Sequence, residues 1–128
     1  MSISIYYTAR RPTPISAIEQ SAIDALLEEY SVDDEVDDYV QTRRGLNWES
    51  FYIYDPRSPT EPDVVFEGAT KLPDNSEDAI SKGIRHWSQL LSGIRRALQG
   101  ATWHVHVDDN DLMWDELAAE YDLGQSLQ

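Results

Sequence analysis

The chain has 128 residues with 41% apolar content, enough for one hydrophobic core, and 24 Asp or Glu against 10 Lys or Arg give a formal net charge of −14. That charge repels phosphate backbones and anionic membranes, so composition argues against direct binding of nucleic acid or membrane. The sequence has no cysteine, no apolar run of about 18 residues and no leader-like start, so we expect one cytoplasmic domain over residues 1–128 without cofactor or bound metal.

The N-terminal part of the chain predicts a strand and then a helix. Residues 2–8 alternate between apolar and polar side chains, as a half-buried strand does. Thr13 and Pro14 suit the N-cap and the first position of an amphipathic helix that ends near Glu29. The acidic residues 31–47 leave three interpretations open, which are a solvated loop, a short helix and an extra edge strand.

A hairpin is predicted in the middle of the chain. Residues 48–54 alternate and indicate its first strand. Residues 55–62 contain three prolines and predict a connection, because proline cannot donate to a sheet ladder. Residues 63–69 then supply the second strand.

The most strongly marked element is a long helix over residues 74–100. Three consecutive good N-caps at residues 74–76 predict its start. Gly83 and Gly93 either allow close packing or are tolerated surface glycines. The apolar stripe recurs every third or fourth residue and consists of Ile80, Ile84, Trp87, Leu91, Ile94 and Leu98.

A last strand and an acidic extension follow the long helix. Residues 102–107 alternate and predict a strand, and residues 108–111 predict a turn. Residues 112–123 have apolar side chains at helical spacing, so the extension over 108–123 is expected to pack on the body as a short helix or an ordered arm. Residues 124–128 are expected to fray.

The order strand, helix, strand, strand, helix, strand predicts an α+β fold of the ferredoxin-like, split βαβ type, with both helices on one face of an antiparallel sheet. The other face would be rich in rings, and we expect the segment of Trp114 and Tyr121 to cover it rather than a partner. The ring-bearing residues assigned to that face are Tyr6, Trp48, Tyr52, Tyr54, His104 and His106.

Two acidic clusters predict a surface for a basic protein partner. Five of the six residues from 33 to 38 are acidic, namely Asp33, Asp34, Glu35, Asp37 and Asp38. The second cluster comprises Asp108, Asp109, Asp111, Asp115 and Glu116, in a segment without Lys or Arg. Trp48, Tyr52 and Trp114 are candidate aromatic anchors. The alternative is that the charge only keeps the protein soluble.

A second hypothesis is a metal-dependent enzyme that uses His104, His106 and Asp108. Alternate residues of a strand share a face, so two imidazoles and a carboxylate could converge on one ion. The HxHxDH motif of metallo-β-lactamase-like hydrolases would require a histidine where this chain has Asp109. An EF-hand calcium loop is excluded, because Met113 stands where the glycine is required and Ala119 where the bidentate glutamate is required.

In size, acidity and lack of cysteine, and with VFEGATKLP at residues 65–73 before the long helix and WHVHVDD at 103–109 after it, the chain resembles bacterial immunity proteins of polymorphic or contact-delivered toxins. The resemblance implies a non-enzymatic, cytoplasmic protein that binds one cognate toxin domain and blocks its active site. A third possibility is an acidic regulator or nucleic-acid mimic that occupies a basic groove of another protein.

Overall fold

Four antiparallel strands form a sheet, and helices cover one of its faces. The computed structural model describes residues 3–54 and 61–123. The fold is mixed α+β, as predicted. Its elements are β1 (Ser4–Arg10), α1 (Ala17–Glu29), α2 (Asp33–Thr42), β2 (Val64–Lys71), α3 (Ala79–Ala97), β3 (Thr102–Val107), β4 (Asn110–Asp111), β5 (Met113–Asp115) and β6 (Glu120–Asp122).

The sheet order is β2-β1-β3-β4, so the N-terminal strand β1 lies at its centre. Ile5, Tyr7 and Ala9 of β1 are fully buried on the helix side. On the other side, which we call the outer face, none of the side chains of β1, β2 and β3 is buried. The period of two therefore separates a core face from a face that no described element covers.

The predicted strand over residues 48–54 is wrong. Its ladder pairing is reduced to an isolated antiparallel bridge between Ile53 and Gly68 of β2. Residues 55–60 of the predicted connection lie outside the described residues. The other predicted hairpin strand is confirmed as β2, which pairs with β1.

Side chains bind the backbone groups that a ladder at residues 48–54 would have used. The buried Tyr7 hydroxyl donates to the carbonyl oxygen of Tyr52 at 2.5 Å, and the amide of Tyr52 donates to Thr70 Oγ1 at 3.1 Å. Tyr7 Oη and Thr70 Oγ1 are themselves 2.7 Å apart. The ring of Phe51 stacks on the Tyr7 ring with a centroid distance of 4.5 Å. This segment is therefore anchored to the core through Tyr7.

The long helix α3 confirms the predicted apolar stripe but begins at Ala79, five residues later than expected. Asp74 and Asn75 are not caps, because Asn47 uses them. The Asn47 side chain donates to Asp74 Oδ1 at 2.8 Å, and the amide of Asp74 donates back to Asn47 Oδ1 at 2.8 Å. A tertiary contact thus competes successfully with local capping.

Both glycines inside α3 allow close packing. A Cβ atom at Gly83 would lie 2.6 Å from Pro73 Cδ, and one at Gly93 would lie 3.0 Å from Leu26 Cδ2. Both glycines are buried, so they are not tolerated surface positions. They bring α3 against the end of β2 and against α1.

The first helix begins at Ala17, and the predicted cap at Thr13 is wrong. Ser16 is the N-cap and forms a capping box with Glu19. The Arg11 guanidinium binds the carbonyl oxygens of Thr13 and Pro14, both at 2.8 Å, and holds this segment outside the helix.

Arg11 also joins three elements, although it stands in the interior with 9% of its surface exposed. Its guanidinium donates to both carboxylate oxygens of Glu19, at 2.9 and 2.5 Å, and to the carbonyl oxygen of Gln99 at 2.8 Å. The Arg11 hydrogen bond, followed by that of the Ser16 amide, lowers the pKa of Glu19 to about 2. The end of β1, the start of α1 and the end of α3 are therefore connected by one cation.

Residues 31–47 adopt the short-helix alternative. The helix α2 has Val32, Val36 and Tyr39 turned toward the body, and Val32 is 3% exposed. No helix among the described residues has both the length and the apolar content to cross a bilayer.

The extension forms an ordered arm instead of a helix. Strands β5 and β6 pair as an antiparallel hairpin, which we call the C-terminal hairpin. Tyr121 is buried with the core, and its amide donates to Ser92 Oγ of α3 at 3.0 Å. The hairpin therefore lies on the helix side, so the expectation that Trp114 and Tyr121 cover the outer face is wrong. Residues 124–128 lie outside the described part of the chain.

We expect Gly68→Ala to reduce the free energy of unfolding by about 2–3 kcal/mol, because the new methyl group would overlap the backbone of the Tyr52 segment. A Cβ at Gly68 would lie 2.2 Å from the Tyr52 carbonyl oxygen. Gly93→Ala is the comparison: its methyl group would meet the flexible end of Leu26 at 3.0 Å instead of backbone, and alanine favours helix, so a smaller loss is expected. Chemical denaturation of both variants tests this, and equal stability of Gly68→Ala and wild type would contradict it.

We expect Glu19→Gln to lower the Tm by several degrees at pH 7. Since the folded pKa of Glu19 is about 2, below the ordinary 4.5, its contribution is complete above pH 4.5 and disappears as the pH falls toward 2. The Tm difference between variant and wild type should shrink over that range. Glu28→Gln, on the exposed side of α1, is the matched control; a Tm difference independent of pH would refute the coupling.

Candidate partner-binding surfaces

The first acidic cluster lies on α2, and all five of its side chains are exposed. Asp33, Asp34, Glu35, Asp37 and Asp38 are exposed. Asp33 Oδ1 accepts a hydrogen bond from Ser50 Oγ at 2.9 Å. Within residues 3–54 and 61–123, none of the ion pairs formed by Lys, Arg or His involves these five carboxylates. They form a continuous negative surface, which we call the α2 acidic face.

Helix stability explains only part of this cluster. Asp33 and Asp37, and likewise Asp34 and Asp38, stand four residues apart, where like charges destabilise a helix by about 0.2–0.5 kcal/mol per pair. Acids in the first turn gain a comparable amount from the helix dipole, about 0.3–1 kcal/mol each. The dipole therefore favours the three acids of the first turn. Asp37 and Asp38 lie beyond it and add only repulsion, so stabilisation of α2 does not account for all five acids.

The second acidic cluster is divided between two places. Asp108, Asp109 and Asp111 are exposed around the β3–β4 turn, which we call the acidic corner. Asp115 lies in the C-terminal hairpin, where its Oδ1 accepts hydrogen bonds from the amides of residues 117 and 118 at 3.0 and 3.1 Å. Glu116 is exposed in the same turn. Asp115 therefore shapes a turn, whereas the acidic corner is exposed, with Asp111 Oδ1 lying 2.9 Å from His104 Nε2.

The three candidate aromatic anchors differ in exposure. Trp48 is half-buried and packs edge-on against Trp87, with ring centroids 5.9 Å apart. Trp114 is also half-buried, beneath the guanidinium of Arg95, whose Cζ is 4.2 Å from the ring centroid. Tyr52 is 58% exposed. Tyr52 is thus the most accessible of the three to a partner.

Two further exposed side chains were not singled out from the sequence. Leu117, at the turn of the C-terminal hairpin, is fully exposed, and Met113 is 68% exposed. Both belong to the apolar series at helical spacing that favoured a short helix in residues 112–123. The hairpin places them outward, so helical periodicity could not have identified them.

The two strand histidines lie side by side on the outer face. Their ring centroids are 4.7 Å apart. His104 Nε2 is 2.9 Å from Asp111 Oδ1, and His106 Nδ1 is 2.8 Å from the backbone oxygen of Asp108. The hypothesised third ligand thus contacts His106 through its carbonyl group. In the described part of the chain, no three His, Asp or Glu side chains are arranged to hold a metal ion.

Comparison with known proteins identifies no relative. No protein-family model matches the chain, and neither the curated proteins nor the solved structures give a significant match.

We expect Arg95→Met to loosen the C-terminal hairpin without unfolding the main sheet. The variant loses the cation–π contact with Trp114 and the hydrogen bond to the Tyr121 hydroxyl. A loss of about 1 kcal/mol should speed amide hydrogen exchange in residues 113–122 roughly fivefold. Lys82→Met on the same helix is the control, because Lys82 is exposed and pairs with Asp78 at the start of α3. Equal acceleration in β1 and β3 would show that the hairpin is not a separate unit.

Proposed function

We propose that this protein is a non-enzymatic inhibitor of the immunity-protein type, which binds a cognate bacterial toxin domain in the cytoplasm and blocks its active site or substrate entry. We also propose that its body has the ferredoxin-like arrangement. β2 and β3 both pair antiparallel with β1, so α3 connects two parallel strands that have β1 between them, which is the split βαβ unit of this fold. Residues 48–54 would be its remaining edge strand, reduced here to the single bridge at β2. The toxin domain is expected to be basic around its active site, as enzymes that handle nucleotides or nucleic acid are.

The observation that carries the proposal is the α2 acidic face. Five adjacent carboxylates are exposed and take no part in the ion pairs of the described residues, although the chain repels itself with a net charge of −14. Such a surface accelerates encounter with a positively charged partner and disfavours other partners. Charge that only maintained solubility would not need to concentrate on one short helix.

The contacts before and after α2 hold this helix in place and support a preformed binding surface. Val32 is buried, and the segment after α2 is held by Asn47 on one side and by the Tyr7–Tyr52 hydrogen bond on the other. A helix fixed at its ends loses little conformational entropy on binding. The exposed Tyr52 offers an aromatic contact close to this anchor.

The direct test is co-expression with the product of the adjoining gene, because immunity genes are expected beside their toxin genes. We predict that this protein restores growth and co-purifies with that product. A neighbour that is harmless to the cell and does not bind would refute the proposal.

We expect neutralisation of the α2 acidic face to slow association with the toxin roughly tenfold at low salt, because steering by charge is lost. The variant replaces Asp33, Asp34, Asp37 and Asp38 with Asn and Glu35 with Gln. Stopped-flow or surface-based kinetics at two salt concentrations measures the effect.

The control for this variant keeps the charge and changes the side chains, with Glu at positions 34, 37 and 38. It should associate at the wild-type rate. Equal rates for the neutralised and charge-preserving variants would show that the α2 acidic face is ordinary solvated surface. Circular dichroism of each variant confirms that α2 is retained.

A further inference from the structure

The outer face of the sheet is left open by the described residues. Tyr6, at its centre, is 41% exposed, and its neighbours in the same row are Ala69 of β2 and His106 of β3. Helices and the C-terminal hairpin pack on the opposite side. A ring-bearing sheet face is therefore accessible in the middle of an otherwise strongly acidic molecule.

Three rings on this face are stacked in a continuous series. The ring of Tyr6 lies parallel to that of His106, with a centroid distance of 5.0 Å and an angle of 13° between planes. His104 extends the series at 4.7 Å and 26°. On its other side, the residue in register with Tyr6 is Ala69, whose side chain is a single methyl group.

The surroundings of the rings are negative. Each of the two cations at the margins of the outer face is flanked by two carboxylates: Arg10 by Glu61 and Asp63, and Lys71 by Glu49 and Asp74. The acidic corner adds Asp111, which pairs in register with His106, together with Asp108 and Asp109. A positively charged side chain placed over the rings would therefore meet carboxylates at the β4 edge.

We propose that the stacked rings and the acidic corner form a second docking surface, which receives an arginine side chain of a basic protein partner. The inference rests on the proposed function for the identity of the partner as the toxin domain. It adds the residue class that the partner presents and a face distinct from α2.

Arginine fits this surface better than lysine does. A guanidinium is planar and weakly hydrated, so it stacks on an aromatic ring and still donates in its own plane to a carboxylate. A lysine ammonium can reach the acids but cannot stack in this way. The charge also excludes phosphate-bearing ligands from the face.

The test uses the full-length protein and short peptides, so it does not depend on the toxin. Isotope-labelled protein is titrated with acetyl-Gly-Arg-Gly-Arg-Gly-amide and with the same peptide carrying lysine, and ring resonances are followed by NMR. We expect shifts at Tyr6, His104 and His106, and about three- to fivefold tighter binding of the arginine peptide.

Substitutions of the ring residues test whether the preference for the arginine peptide arises at these rings. Tyr6→Thr, which keeps a residue suited to a strand, should abolish it, whereas Tyr6→Phe should retain it. His106→Thr is the second loss variant in case Tyr6→Thr unfolds. The neutralised α2 variant should keep the arginine preference.

Three outcomes would overturn this inference. The peptides could bind equally well, the shifts could be confined to α2, or the ring resonances could move when only the protein concentration rises, which would indicate a second copy on this face. Failure of the toxin co-expression test, with the arginine preference intact, would instead refute the proposed function alone.

Discussion

The allocation of a few cations among many carboxylates governs this structure. With 10 Lys and Arg against 24 Asp and Glu, each cation that stabilises the fold is unavailable to the surface. Arg11 joins β1, α1 and α3 from an interior position, and Arg95 holds the C-terminal hairpin against α3. In residues 3–54 and 61–123, no Lys or Arg forms an ion pair with the α2 acidic face or the acidic corner, so both surfaces remain negative.

The sequence was sufficient for the elements that depend on their own periodicity. The stripe of α3 and the alternation in β1 and β3 were predicted, because a buried face repeated over several residues outweighs local effects. The predicted strand at 48–54 has the same alternation and failed. The hydroxyls of Tyr7 and Thr70, about 45 and 18 residues away from Tyr52, take its backbone hydrogen bonds, and no local pattern encodes such a contact. Likewise, Asn47 forms hydrogen bonds with Asp74 and Asn75, which the sequence predicted as caps of α3.

The candidate site was predictable in composition but not in geometry. The clusters at 33–38 and 108–116 are visible in the sequence, yet only the fold separates the unpaired acids of α2 from Asp115, which is bound within a turn. The sequence correctly placed Tyr6, His104 and His106 on one face, but it also placed Trp48 there, whereas Trp48 packs against Trp87 of α3 on the helix side. The stacking of Tyr6, His104 and His106 depends on the register of β1 against β3, and their exposure depends on where the C-terminal hairpin packs. This register and this hairpin packing are long-range contacts, and they decide whether the face is covered or open.

Carboxylate footprinting of the free protein and of its complex with the adjoining gene's product tests the central claim most directly. Carbodiimide labelling read by mass spectrometry reports which acids a partner covers. The account predicts loss of labelling on the α2 acidic face and at the acidic corner, with Asp24, Glu28 and Glu29 of α1 labelled as before. Protection confined to α1, or unchanged labelling of both acidic surfaces in a stable complex, would contradict it.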